Sequence, residues 1–254
     1  MNTKRVALLG CGRLGEVIAK ALLVHTVDHA ELVCIYVRSP EKAQLLHQKL
    51  RCPVVTDIQA LLDKKPDYVI EAATKDAVQE FAVPIMEAGA DLIVLSTSAL
   101  GDPNFYRQAY EAAERVGRRI HLAHGVVGGL DTVEAASMMG DFRAEITKRK
   151  FARGSEKSDA ALDALDDAFH GTAEDVRRLF PEQLNVAVSL GLAAGNLFAT
   201  NVHVAPSDRV DFTICCEGTF GEASFYTRLG AFGPDLAAWS ALAMLRRQIS
   251  RITF

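Results

Sequence analysis

Through the first half of the chain, short apolar blocks alternate with stretches that carry an apolar stripe at helical spacing. The blocks Val6 to Leu9, Glu31 to Val37, Val54 and Val55, Tyr68 to Ile70, Leu92 to Leu95 and Ile120 to Ala123 predict buried strands. Between them, Glu16 to Leu23, Pro40 to Leu50, Asp57 to Leu62, Thr74 to Ala88 with its internal Pro84, and Pro103 to Val116 predict helices. Such alternation is the signature of a parallel, doubly wound sheet, an α/β fold that binds its ligand at the carboxyl ends of its strands. The loops at those ends read Glu71 to Thr74, Ser96 to Ala99 and His124 to Asp131.

Past Asp131 the pattern changes. Thr132 to Met139 predicts a short helix and Phe142 to Phe151 a strand dense in charge at Lys148, Arg149 and Lys150. Ser155 to His170 reads as a polar surface loop ending in a helical turn, and Thr172 to Phe180 as a capped helix that Pro181 breaks. Asn185 to Asn196, apolar nearly all round, predicts a buried helix. Thr200 to Val204, Val210 to Cys216 and Ala223 to Arg228 alternate as an antiparallel sheet, with turns at Pro206 to Asp208 and Glu217-Gly218. Pro234 to Arg251 closes the chain as a helix. The expected organisation is a doubly wound domain over 1–125, rejoined by the helix 234–254, and an α+β domain with a mainly antiparallel sheet over 126–233.

The first predicted strand runs into Gly10-x-Gly12-x-x-Gly15, and a helix leaves it. In that context Gly10 permits the tight turn, Gly12 admits a pyrophosphate to the backbone, and Gly15 lets helix and strand close up. Arg13 and Leu14 complete the turn, so the motif predicts a dinucleotide cradle. The tip of the second strand carries Arg38 and Ser39 and no acid. An acid there would hold the ribose hydroxyl of NAD; Arg38 and Ser39 suit the 2′-phosphate of NADP, with NAD the alternative because Glu41 is close. Ala72, Ala73, Ser96 and Thr97 leave room for a nicotinamide, or only let strand and helix close up and cap the next helix.

Composition narrows the partners. The 254 residues are 49% apolar, with a net charge of −4 spread along the chain. No basic field is present to hold nucleic acid or a lipid surface, so the expected partner is a small molecule. The first five residues lack a signal-peptide run and no apolar stretch is long enough to span a membrane, so a cytoplasmic location is expected. Five cysteines without C-x-x-C spacing read as reduced thiols, and seven histidines without a metal-ligand pattern predict no metal.

Four motifs, HGVVGGLD (His124 to Asp131), STSAL (Ser96 to Leu100), EAAT (Glu71 to Thr74) and LFPEQLNVAVSLGLA (Leu179 to Ala193), together resemble the L-aspartate dehydrogenases over nearly the whole chain. The resemblance implies oxidation of L-aspartate to iminosuccinate, which yields oxaloacetate and ammonia, and the reverse reductive amination. It also implies a homodimer with an N-terminal Rossmann domain and a C-terminal α+β domain whose sheet forms much of the interface. The sequence departs from the family on the substrate side. Where the family reads D-H-N-x-H, its last His taken as catalytic, Ser207 to Asp211 places Asp211. The family's N-P-x-T-S is replaced over Gly233 to Ala238, its lysine before paired prolines becomes Lys150-Phe151-Ala152, and its small residue before the glycine loop is His124.

Oxidising an amino acid needs a base near the working pH, a positioned α-carbon and cations for the carboxylates. His124 and Asp211 are the candidate bases; Lys148, Lys150 and Arg209 are candidate carboxylate anchors. Asn185 is either a ligand to substrate or nicotinamide amide, or the cap of the helix that begins there. Three functions fit: an aspartate-dehydrogenase-type enzyme, another imine or carbonyl reductase on the same scaffold, and an NADP-binding sensor that has lost the chemistry.

Overall fold

The computed structural model of the chain describes residues 3–151, 168–180 and 184–253. The chain forms two compact units, Met1–Ala123 with Ala237–Phe254, and His124–Leu236.

In the first unit the chain runs β1 (Lys4–Leu9), α1 (Arg13–Leu23), β2 (Ala30–Tyr36), α2 (Pro40–Leu50), β3 (Val54–Val55), α3 (Ile58–Leu62), β4 (Tyr68–Glu71), α4 (Lys75–Glu87), β5 (Asp91–Val94), α5 (Pro103–Val116) and β6 (Ile120–Leu122). The strands pair in parallel in the order β3-β2-β1-β4-β5-β6. Strand order therefore reverses at β1, and the loop after it lies at the sheet's switch point. Helix starts are set locally: Ser39, Thr74 and Asp102 each accept a backbone N–H of the following first turn. Val6, Leu8, Ile18, Leu22, Ile35 and Ile70 form a buried core, joined by Ala238, Ala241, Leu242 and Leu245 of the C-terminal helix Leu236–Ile249.

The second unit runs α6 (Leu130–Ser137), β7 (Arg143–Phe151), β8 (Phe169–Thr172), α7 (Ala173–Leu179), α8 (Asn185–Ala193), β9 (Thr200–Ser207), β10 (Asp211–Gly218) and β11 (Gly221–Arg228); the C-terminal helix is then α9. Its sheet has the order β11-β10-β7-β9-β8. Along β7, Ala144, Ile146, Lys148 and Lys150 are buried while the intervening residues are more exposed. The buried set faces α6, α7 and α8, whose Val133, Val176, Ala187 and Leu190 share a core with Ile146, Val204, Phe212 and Ile214.

Three expectations are corrected here. The last three strands do not form one antiparallel run: β10 and β11 make a hairpin, but β9 lies parallel to β7 and antiparallel to β8. Alternation tells a strand which face is buried, not which strand lies beside it. Pro206 and Ser207 belong to β9 rather than to a turn, in register with Lys150 and Phe151 of β7. His170, expected to close a loop, sits in the edge strand β8. The rest of the expected loop, over 155–167, and the break at Pro181 lie outside the described residues. Among the described residues no helix is long and apolar enough to cross a membrane.

Candidate active site

The glycine turn takes its shape from close approaches. Gly10 has φ +89°, and a Cβ there would lie 2.5 Å from Ala73 Cβ and 2.9 Å from the Ala72 carbonyl oxygen. A Cβ on Gly15 would lie 2.7 Å from the Gly10 carbonyl oxygen. Side chains at these positions would push β1 away from the β4 loop or α1 away from its own turn. Gly12 is different: a Cβ there would meet nothing within 4 Å. It precedes α1, whose first bond within the helix runs from the Glu16 N–H to the Gly12 carbonyl at 2.9 Å. The first-turn donors of Arg13, Leu14 and Gly15 lie ahead of that bond, beside open space, as a pyrophosphate cradle requires. Cys11 is buried beside them, and burial pushes its thiol up to about 11, away from the reactive thiolate.

At the tip of β2, the exposed Arg38 guanidinium donates to Glu80 Oε2 at 3.1 Å. Ser39 accepts the Lys42 N–H at 3.1 Å as the cap of α2 and donates to Glu41 Oε2 at 2.5 Å. That bond holds the Glu41 carboxyl below its ordinary range.

The loops after β4 and β5 are joined by a residue that pattern reading passed over. Glu71, the last residue of β4, is fully buried. Its Oε1 accepts the Ala73 N–H at 2.7 Å and the Ser96 hydroxyl at 2.9 Å. Its Oε2 accepts the N–H groups of Leu95 at 3.1 Å and Ser96 at 2.9 Å. Burial pushes the carboxyl above its ordinary value, and the four donors pull against that shift. Ser96 does not cap a helix: Thr97–Gly101 is a buried single turn of tighter helix, and Asp102 caps α5. The signal that marks Glu71 is an acid closing an apolar strand immediately before two alanines.

In the second unit His124 begins a loop in which Gly125, at φ +65°, packs against the first turn of α8: a Cβ on Gly125 would lie 3.2 Å from Val186 Cγ1. Asn185, next to Val186, is the first residue of α8, and Leu184 holds the cap position, so Asn185 is not the cap. Gly129, at φ +80°, starts α6 with the Phe225 ring where a side chain would stand. Lys148 and Lys150 lie on the helix-covered face, and the Lys148 ammonium stands 5.8 Å from the Phe212 ring centroid.

Asp211 and Arg209 lie elsewhere. Asp211 pairs in register with Arg149, and Phe212 with Lys148, so Asp211 leaves the sheet on the face opposite the two lysines. It is fully buried, and both oxygens are engaged: Oδ1 with Arg149 at 3.0 Å, Oδ2 with Arg209 at 2.8 Å. The structure thus gathers the His124 loop, Asn185, Lys148 and Lys150 on one side of the second sheet, and Asp211 with Arg209 on the other. Among the described residues no three His, Cys, Asp or Glu side chains form a group that could hold a metal.

A glycine cradle at the switch point of a parallel sheet, followed by a second unit with buried cations on its helix-covered face, defines a dinucleotide-dependent dehydrogenase of the Rossmann class. Residues 10–123 match the family described as homoserine dehydrogenase, NAD binding domain, and residues 131–248 that described as aspartate dehydrogenase, C-terminal. The chain is 32% identical to an L-aspartate dehydrogenase of Methanospirillum hungatei over 95% of its own length and 92% of the relative's. It superposes on the aspartate dehydrogenase of Thermotoga maritima with a TM-score of 0.78 at 22% identity, covering 99% of each chain. A scyllo-inositol dehydrogenase of Lactobacillus casei, solved with NAD(H) and scyllo-inositol, shares the fold at a TM-score of 0.63 and 13% identity, covering 96% of this chain and 87% of its own. The protein belongs to the L-aspartate dehydrogenase family and is a nicotinamide-dependent amino-acid dehydrogenase.

Proposed function

We propose that the protein interconverts L-aspartate and iminosuccinate, or a closely related amino acid and its imine, using NADP(H), with NAD(H) the alternative. The observation that carries this reading is the pair Lys148 and Lys150: two lysines buried on one sheet face offer two cations for the two carboxylates of a dicarboxylic amino acid. The M. hungatei relative, named for aspartate, supports it.

When bound, the nicotinamide supplies the acceptor or donor of the hydride. Gly10, Gly12, Arg13, Leu14 and Gly15 would hold the pyrophosphate; Ala72, Ala73, Ser96 and Thr97 would line the nicotinamide half. Arg38 would take the 2′-phosphate, exchanging an exposed pairing with Glu80 that is worth little in water. Lys148 and Lys150 would fix the substrate carboxylates and Asn185 would orient the substrate by its amide. His124 would accept the proton that the substrate ammonium gives up on becoming an amine, and return it in the reductive direction. Asp211 and Arg209 would serve the β9–β10 turn rather than the reaction. The reading includes a homodimer formed on the polar face of the second sheet, where Tyr226 is 56% exposed.

The test is the initial rate of NADPH and NADH oxidation by the purified protein with oxaloacetate and ammonium, against a panel of monocarboxylic 2-oxo acids. Faster turnover with oxaloacetate than with any monocarboxylate is expected. A preference for a monocarboxylate would overturn the assignment of the two lysines and favour another reductase; binding without turnover on any member would favour a sensor.

A further inference from the structure

Glu71 carries more than a buried carboxylate needs for its own solvation. Its four hydrogen bonds come from two loops distant in sequence, Ala73 on the loop after β4 and Leu95 and Ser96 on the loop after β5. Those loops hold the small residues assigned above to the nicotinamide half of the cofactor. A carboxylate offers about four acceptor positions. Here all are filled, and by donors only.

This arrangement also fixes the polarity of Ser96. A serine hydroxyl has one proton and two lone pairs. The proton of Ser96 is committed to Glu71 Oε1, so toward anything else the half-buried hydroxyl can only accept. We infer that Glu71 is a positioning residue, which joins the two loops and makes Ser96 Oγ an acceptor for a donor on the nicotinamide half, either the carboxamide N–H or a ribose hydroxyl. The inference rests on the dinucleotide reading of the site.

Glutamine at position 71 tests the polarity directly. Its amide has one acceptor atom and one donor atom. With its oxygen toward Leu95 and Ser96 N–H, its NH2 faces Ser96 Oγ, which must then accept and turn its own proton outward, while the Ala73 N–H loses its acceptor. The side chain keeps its length while the serine changes sign.

The experiment measures dissociation constants by titration calorimetry for whichever reduced dinucleotide wild type binds more tightly, and for the matching adenine-side fragment, ADP or 2′-phospho-ADP, which lacks the nicotinamide ribose. Glu71→Gln and Ser96→Ala should each weaken the dinucleotide by about tenfold, the size of one hydrogen bond, and leave the fragment within about twofold. Ser96→Ala keeps every backbone bond to Glu71, so it decides the matter if Glu71→Gln does not fold. The acetylpyridine analogue, whose methyl ketone has no N–H, names the donor: a ratio to the natural cofactor that collapses in Ser96→Ala assigns the carboxamide, an unchanged ratio the ribose.

Fragment and dinucleotide weakened alike, or a dinucleotide affinity unchanged in Ser96→Ala, would overturn the inference while leaving the dinucleotide site in place. Wild type that binds neither ligand would overturn the dinucleotide reading itself, and the inference with it.

Discussion

Arg209 reaches back across the β9–β10 turn to Asp211, Nε to Oδ2 at 2.8 Å, while Arg149 of β7 holds the other oxygen at 3.0 Å. The carboxylate pins the turn to the neighbouring strand. Replacing it with an amide leaves one acceptor for two guanidinium groups. Asp211→Asn should lower the unfolding free energy by about 1–3 kcal/mol, below the ~3–5 of a fully buried broken pair because both arginines are partly in water. Its kcat should stay within about threefold of wild type, far from the loss of a general base. Urea unfolding and steady-state kinetics read the two effects; a hundredfold fall in kcat at unchanged stability would return Asp211 to the reaction.

His124→Ala should lower kcat by about 10²–10⁴ with little change in cofactor affinity. Steady-state kinetics and a dinucleotide titration read the two effects; an unchanged rate would remove His124 from the chemistry.

The first unit was largely legible in the sequence. Pro40 to Leu50 and Pro103 to Val116 form helices with the predicted ends, since Ser39 and Asp102 cap them and the proline takes the first position. The glycine turn was legible because three glycines answer three local demands. The substrate side was less so, for a reason visible at Asp211 and Phe212. Adjacent strand residues leave the sheet on opposite faces, so an offset of one position moves a candidate base from one side of a sheet to the other. The partners of β9 were hidden because its alternation suits either neighbour. Glu71 was hidden because an acid at a strand end reads as exposed until the second loop, over twenty residues further on, is folded onto it.

Arg38→Asp should weaken NADPH binding by ten- to a hundredfold, about 1.4–2.8 kcal/mol, through loss of a bidentate partner and gain of a like charge. NADH should change by less than about threefold, or bind more tightly through the ribose hydroxyl. Fluorescence titration with both dinucleotides reads the ratio; equal losses would remove Arg38 from cofactor choice.

Glu71 also predicts a pH dependence of stability. Its folded value lies above the ordinary 4.5, so between the two the folded chain holds a proton that the unfolded chain has released. Its contribution is full below 4.5 and is lost as pH rises through the folded value. Glu71→Gln cannot titrate. The difference in unfolding free energy should therefore move in the variant's favour as pH rises through that window and level off above it. A difference that is flat from pH 4.5 upward in urea titrations would contradict the shift.

The core of the first unit includes Ala238, Ala241, Leu242 and Leu245, from a helix that follows the whole second unit in the chain. The order of synthesis is therefore not the order of completion. A growing chain has β1 through β6 available early, yet the first unit's core is incomplete until the last helix emerges, after every residue of the second unit. The cofactor domain closes last, and a chain released before α9 would lack four buried residues of that core, Ala238, Ala241, Leu242 and Leu245.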